Sequence, residues 1–325
     1  MTVAKQAIET DHLNHGIPFD ASVFENININ KSAVERRAAT LPARRTVKKN
    51  WQAAWLLKAV TCIDLTTLAG DDTKGNVTRL CAKAKNPIRK DILEALGMEN
   101  SGITVGGVCV YHNLIPFAKE ALQGSNLPIV AVSTGFPAGN NSFEDKISEI
   151  KHSVAAGAKE IDIVISRDLV LENRWEELYH EISEFKKACG DAHMKSILAT
   201  GEIPTYTKVY KASMVAMMAG SDFIKTSTGK ESVNATLAVS LVMCRAIRDY
   251  FEMTGTKVGF KPAGGIQKAK QATDWLILIK EELGDEWLNG NMFRIGASSL
   301  LGDIERQLEH HVTGAYSAGF RHPMQ

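Results

Sequence analysis

The chain has 325 residues, 44% hydrophobic and 23% charged, with 38 basic against 37 acidic side chains and a formal net charge of +1. That length sustains a buried core without disulfide or metal staples, and near-neutrality excludes a global field that would draw the chain to nucleic acid or an anionic membrane. The five cysteines are scattered, odd in number and free of any CxxC pair, as in a reducing compartment. The opening MTVAKQAIETDHLNHG has no apolar run before a small-residue cleavage site, and no stretch approaches the roughly 20 apolar residues that cross a bilayer. A soluble cytoplasmic protein is expected, with a nuclear pool left open.

Residues 1–50 are polar and weakly periodic and end in Arg36, Arg37, Arg44, Arg45, Lys48 and Lys49. Such a cluster is either a nucleic-acid patch or a solvated helix face, and the lack of interleaved aromatics favours the second, so no nucleic-acid partner is expected. Trp51 and Trp55, four residues apart, begin an amphipathic helix expected to anchor on the main body. The main body, residues 51–325, is read as one catalytic domain with a C-terminal tail.

From about residue 59, short β-branched runs alternate with helical periods. The runs are AVTCIDLT, ITVGGVCVY, LPIVAVSTGF, EIDIVIS, HMKSILATGE, DFIKTSTG, KVGFKPAGG and FRIGASS, with helical stretches such as FEDKISEIKHSVAAG and ATLAVSLVMCRAIRDYF between them. Eight βα units over about 250 residues predict an α/β fold, a (β/α)8 TIM barrel, whereas a doubly wound sheet would show a GxGxxG turn after its first strand. After Asp64 the sequence instead reads LTTLAGDDT. The barrel places the active site at the carboxyl ends of the strands.

Lys225 in DFIKTSTGK and Lys261 in VGFKPAGG lie inside runs that should line the barrel. Two ammonium groups about 6 Å apart repel by roughly 3 kcal/mol at an effective dielectric near 20, or about two pKa units. Repulsion and desolvation together push one amine toward the neutral form that nucleophilic catalysis needs; the alternative is that each lysine snorkels or pairs with a carboxylate. Asp162, mid-run in EIDIVIS, is costly there unless it meets a cation, and Lys261 is its candidate partner, either in a buried salt bridge or in a proton relay that holds Lys261 charged. Asp64 in CIDLTT is either a structural carboxylate or a contact to a substrate hydroxyl. The turns TSTGK (226–230), PAGGI (262–266) and GASS (296–299) end the sixth, seventh and eighth runs, where barrels commonly bind phosphate. There, glycine backbone, the charge of Lys230 and the hydroxyls of Ser298 and Ser299 would meet the anion.

The strings FIKTSTGK, GFKPAGGI, EIDIVI, IDLTTL and FRIGASSLL, in this order over roughly residues 50–315, together resemble the deoxyribose-phosphate aldolase family, and the basic, tryptophan-bearing extension resembles its longer animal-type members. The resemblance implies a class I aldolase without metal or other cofactor, reversibly splitting 2-deoxy-D-ribose 5-phosphate into acetaldehyde and D-glyceraldehyde 3-phosphate. It implies Lys225 as the Schiff-base amine, Lys261 as the neighbour that lowers its pKa, and Asp162 as the relay carboxylate. Asp64, Thr228, Gly229, Lys230, Gly264, Gly265, Gly296, Ser298 and Ser299 are the expected substrate and phosphate contacts. The partner is then a small phosphorylated sugar, with no membrane role and homo-oligomerisation open. Gln267 stands where the family commonly has arginine, His112 follows Tyr111 where proline is usual, and the tail AYSAGFRHPMQ lacks a terminal tyrosine. Cys109 is expected to pack as a small hydrophobe. A noncovalent sugar-phosphate isomerase would keep the phosphate turns without needing paired lysines, and a silent scaffold would act through residues 36–49.

Overall fold

The computed structural model describes residues 13–322, and each predicted run contributes one strand. In chain order the elements are α1 (Lys31–Thr40), α2 (Asn50–Thr61), β1 (Ile63–Thr66), α3 (Lys74–Lys85), α4 (Lys90–Ala95), β2 (Gly107–Tyr111), α5 (Ile115–Ala121), β3 (Ile129–Ser133), α6 (Phe143–Ala156), β4 (Glu160–Val164), α7 (Arg167–Leu171) and α8 (Trp175–Cys189). They continue with β5 (His193–Ile197), α9 (Tyr206–Met218), β6 (Phe223–Lys225), α10 (Leu237–Thr254), β7 (Gly259–Lys261), α11 (Ala269–Glu282), β8 (Ile295–Ala297) and α12 (Leu300–Thr313). All strand pairs are parallel, in the order β7-β6-β5-β4-β3-β2-β1-β8. Bridges from Phe260 to Phe293 and from Ala263 to Gly296 join the two ends, so the sheet closes as a (β/α)8 barrel.

Local chemistry sets the element boundaries. Ser142 caps α6 by accepting from the Asp145 amide, Thr236 caps α10 by accepting from the Val239 amide, and Gly157 ends α6 in the left-handed region at φ 118°. The first predicted run began too early, because Ala59, Val60 and Thr61 complete the last turn of α2. Along β4 the period of two sends Ile161 and Ile163 outward into the core beneath the helices and turns Glu160, Asp162 and Val164 inward.

The described part of the N-terminal segment, residues 13–49, packs against the barrel. Val34, Ala38 and Leu41 are buried, and α1 lies on α10. Asn14, 1% exposed, donates its amide to Asp222 and its side-chain nitrogen to the carbonyls of Met217 and Ser221. Within the basic cluster, Arg37 pairs with Glu282 at 2.7 Å and Arg45 with Glu281 at 2.6 Å, so both are committed to α11. The anchoring expected of the tryptophans divides: Trp55 packs on the core, whereas Trp51 is 72% exposed. In the tail, Tyr316 stacks on His310 at 5.0 Å and His322 is buried 2.7 Å from Glu309, so this stretch folds back on α12. Residues 1–12 of the expected extension and 323–325 of the tail lie outside the described residues. Among the described residues no helix is long and apolar enough to cross a membrane.

Candidate active site

Inward positions of the strands, together with Arg294 just before β8, bring seven ionisable side chains into one buried stack. Lys225, Lys261 and Asp162 end up together: both lysine Nζ atoms lie 2.7 Å from the same carboxylate oxygen, Asp162 Oδ2. The two nitrogens can therefore be no further apart than the sum of those distances, yet the repulsion argued from sequence is moderated by the oxygen between them. Lys261 also pairs with Asp64 at 2.5 Å. Lys225 is 3% exposed, while Asp64, Asp162 and Lys261 are fully buried.

Three members of the stack escaped the sequence reading. Lys195 bridges Asp162, at 3.2 Å, and Glu160. Arg294 joins Asp64 to Glu160, at 2.8 Å from the latter. The register pairs Asp162 with Lys195 across β4 and β5, so a lysine in the middle of HMKSI was the available signal. Room for these long side chains comes partly from Gly107: a Cβ there would lie 3.0 Å from both Arg294 Nη1 and Asp64 Oδ1.

The electrostatics separate the two lysines. Burial lowers the Lys225 amine below the usual lysine value and the charge of Lys261 adds to this, with Asp162 opposing. Burial also disfavours the charge on Lys261, but Asp162 and Asp64 outweigh it and hold this ammonium above its ordinary value. Asp162 would be raised by burial alone, and Lys195, Lys225 and Lys261 together keep it well below the usual carboxylate range. The arrangement thus sets an amine whose pKa is lowered beside an ammonium and a carboxylate. Cys109, 1% exposed, packs with Val130, Val132, Phe136, Val164 and Ile197; burial pushes its thiol up to about 11, so it stays protonated.

The other expected contacts fall at two depths. Asp64 lies deep in the stack, its oxygens engaged by Lys261 and Arg294. Gly229, Lys230, Gly265 and Ser298 are exposed and Gly264 and Ser299 half-buried, on the loops after β6, β7 and β8, and Gly296 is half-buried within β8. The TSTGK turn already receives an anion from its own chain: Glu231 accepts from the Thr228 amide at 3.0 Å, the Thr228 hydroxyl at 2.8 Å and the Gly229 amide at 3.2 Å. Ser299 stands at the start of α12 with its hydroxyl unused as a cap. Gly264 has φ +86°, and an added Cβ would lie 2.6 Å from Asn234 Cβ. Gly264→Ala is therefore expected to cost about 1–3 kcal/mol of stability, read by thermal unfolding, and to raise KM for a phosphorylated substrate; unchanged values for both would remove the loop from the binding surface. Among the described residues no group of three or more His, Cys, Asp or Glu side chains is arranged to hold a metal ion.

A parallel barrel with a lysine of lowered pKa beside an ammonium and a carboxylate has the groups that an imine-forming enzyme needs. The family model described as DeoC/LacD family aldolase matches residues 58–301, and the chain belongs to that family. It is 61% identical over 313 residues to human deoxyribose-phosphate aldolase, covering 96% of this chain and 98% of the relative. To the putative deoxyribose-phosphate aldolase of Caenorhabditis elegans it is 52% identical over 253 residues, 77% of this chain and 80% of the relative. Among solved structures, a putative deoxyribose-phosphate aldolase from Toxoplasma gondii superposes with a TM-score of 0.69 at 21% identity, covering 81% of this chain and 97% of that one. The Aeropyrum pernix deoxyribose phosphate aldolase, described as tetrameric, gives 0.57 at 19% identity, covering 86% and 99%. At these identities the structural neighbours speak for the barrel fold.

Proposed function

We propose that this protein is a class I aldolase that reversibly cleaves 2-deoxy-D-ribose 5-phosphate to acetaldehyde and D-glyceraldehyde 3-phosphate, with Lys225 as the imine-forming amine. The observation that carries the assignment of the amine is the sharing of one Asp162 oxygen by Lys225 and Lys261 inside a dry barrel.

The neutral Lys225 amine adds to the C1 aldehyde, and loss of water gives an iminium, which accepts the electron pair released when the C2–C3 bond breaks. The C3 hydroxyl gives up its proton as it becomes the aldehyde of glyceraldehyde 3-phosphate. Asp162 and Lys261, with a water, form the relay that takes this proton and later delivers one to C2 of the enamine. Hydrolysis of the resulting imine then releases acetaldehyde and restores the amine. Gly229, Lys230, Gly264, Gly265, Gly296, Ser298 and Ser299, with Thr228 shaping the turn, hold the phosphate and so fix C1 over Lys225. Asp64 acts through Lys261, which it holds charged. The five cysteines are all buried free thiols, in keeping with a cytoplasmic enzyme.

A coupled assay for glyceraldehyde 3-phosphate, run with a chelator present, is expected to show turnover of deoxyribose phosphate at the same rate as without chelator. Absence of product, or loss of rate on chelation, overturns the reading. Acetaldehyde with borohydride is expected to leave a reduced adduct on Lys225; an isomerase acting without an imine would leave none there.

A further inference from the structure

The charges inside the barrel do not cancel. Three carboxylates, Asp64, Glu160 and Asp162, face four basic side chains, Lys195, Lys225, Lys261 and Arg294, each at most 3% exposed. The other titratable neighbours add nothing near neutrality: burial lowers His193 below its ordinary value and pushes the thiols of Cys62 and Cys109 up to about 11. Arg294 does not lose its proton in a protein. Lys261 lies between two carboxylates, Asp64 and Asp162, and Lys195 lies between two, Glu160 and Asp162. Lys225 touches Asp162 alone, and otherwise faces the Phe136 ring, 6.0 Å from its centroid. An uncompensated charge in a dry interior is costly. The stack balances when one basic group gives up its proton, and the group with least carboxylate contact is Lys225.

We propose that Arg294 is a positioning residue that sets the charge state of the Lys225 amine from deeper in the barrel, by engaging the carboxylates Asp64 and Glu160 so that the stack holds one basic group more than it can neutralise. The inference rests on Lys225 being the imine-forming amine. In this arrangement Lys261 alone does not account for the neutral amine, because Asp64 and Asp162 largely offset its charge. The surplus enters with Arg294, which stands just before β8, at the opposite end of the strands from the loops after β6, β7 and β8.

Counting charges gives a test in which variants move in opposite directions. The rate at which acetaldehyde and borohydride label Lys225 is followed against pH by mass spectrometry, for the full-length protein and for Arg294→Met, Glu160→Gln and the double variant. Arg294→Met leaves three carboxylates for three lysines, so the acid limb is expected to move up by on the order of one pH unit. Glu160→Gln enlarges the surplus and is expected to move it down, while the double variant restores a surplus of one and returns the limb toward the wild-type position. An unmoved limb in Arg294→Met, with labelling reduced equally at every pH, overturns the proposal, as does a double variant that follows Arg294→Met. Should Arg294→Met fail to fold, an unmoved or raised limb in Glu160→Gln overturns it equally. No label on Lys225 in the wild-type protein overturns instead the assignment of the amine on which the proposal rests.

Discussion

Replacing Lys225 by Met is expected to lower turnover by roughly four orders of magnitude or more, because the covalent electron sink disappears and no other amine is placed to supply it. Lys261 and Lys195 are each held between two carboxylates, so neither substitutes. Stability is expected to move the other way. The folded-state pKa of Lys225 is lowered, so the native state binds fewer protons than the unfolded chain between that value and the ordinary lysine pKa of about 10.4, and wild-type stability rises with pH through this window. At neutral pH the native lysine therefore costs stability that methionine does not. Thermal unfolding of Lys225→Met is expected at or above the wild-type temperature at pH 7, with the gap narrowing toward pH 10. A variant that keeps substantial cleavage removes the covalent mechanism, and one that unfolds well below wild type at pH 7 removes the account of a strained, deprotonated amine.

Asp162→Asn carries the second large effect, and here activity and stability fall together. Its carboxylate meets Lys195, Lys225 and Lys261, and a neutral amide leaves those three amines with less negative charge to answer them. Removing one partner from buried ion pairs costs about 3–5 kcal/mol, and loss of the relay is expected to slow turnover by roughly 100- to 10,000-fold. Phosphate binding at the loops after β6, β7 and β8 is expected to survive. The pH dependence has a definite sign. Because the folded pKa of Asp162 is held well below the ordinary value, its contribution is fully present above the unfolded value of about 3.9 and is lost as pH falls toward the folded one. The stability gap between wild type and Asp162→Asn is therefore expected to narrow as pH falls below about 4. A gap that stays constant through that acid range would mean that Asp162 is not the deeply ionised group described.

The barrel was legible because each strand announces itself twice, by β-branched alternation and by the polar or glycine turn that follows. Lys225, Lys261 and Asp162 were legible because a charge in the middle of an apolar run needs a partner. Glu160, Lys195 and Arg294 went unread. Arg294 sits at the edge of its run, where a charge passes for ordinary solvent-facing sequence. Glu160 opens its run but shares the period of two that turns Asp162 inward, and Lys195 is a charge in the middle of HMKSI whose partner only the β4–β5 register supplies. In the basic extension Arg36, Arg44, Arg45, Lys48 and Lys49 are exposed, as a solvated face requires, and Arg37 alone of the six is half-buried, where it meets Glu282 of α11.

Asn14 links the two ends of the folding problem. Its amide and side chain bond partners 203 to 208 residues later in the chain, and its side-chain oxygen accepts from the hydroxyl of Tyr250, 236 residues on. During synthesis that asparagine emerges early and must wait for six strands' worth of polypeptide before its bonds can form. Long-range closure of this kind slows folding, and because all four partners precede β7 and β8, the N-terminal segment is tied to a part of the barrel that is synthesised before the last two strands.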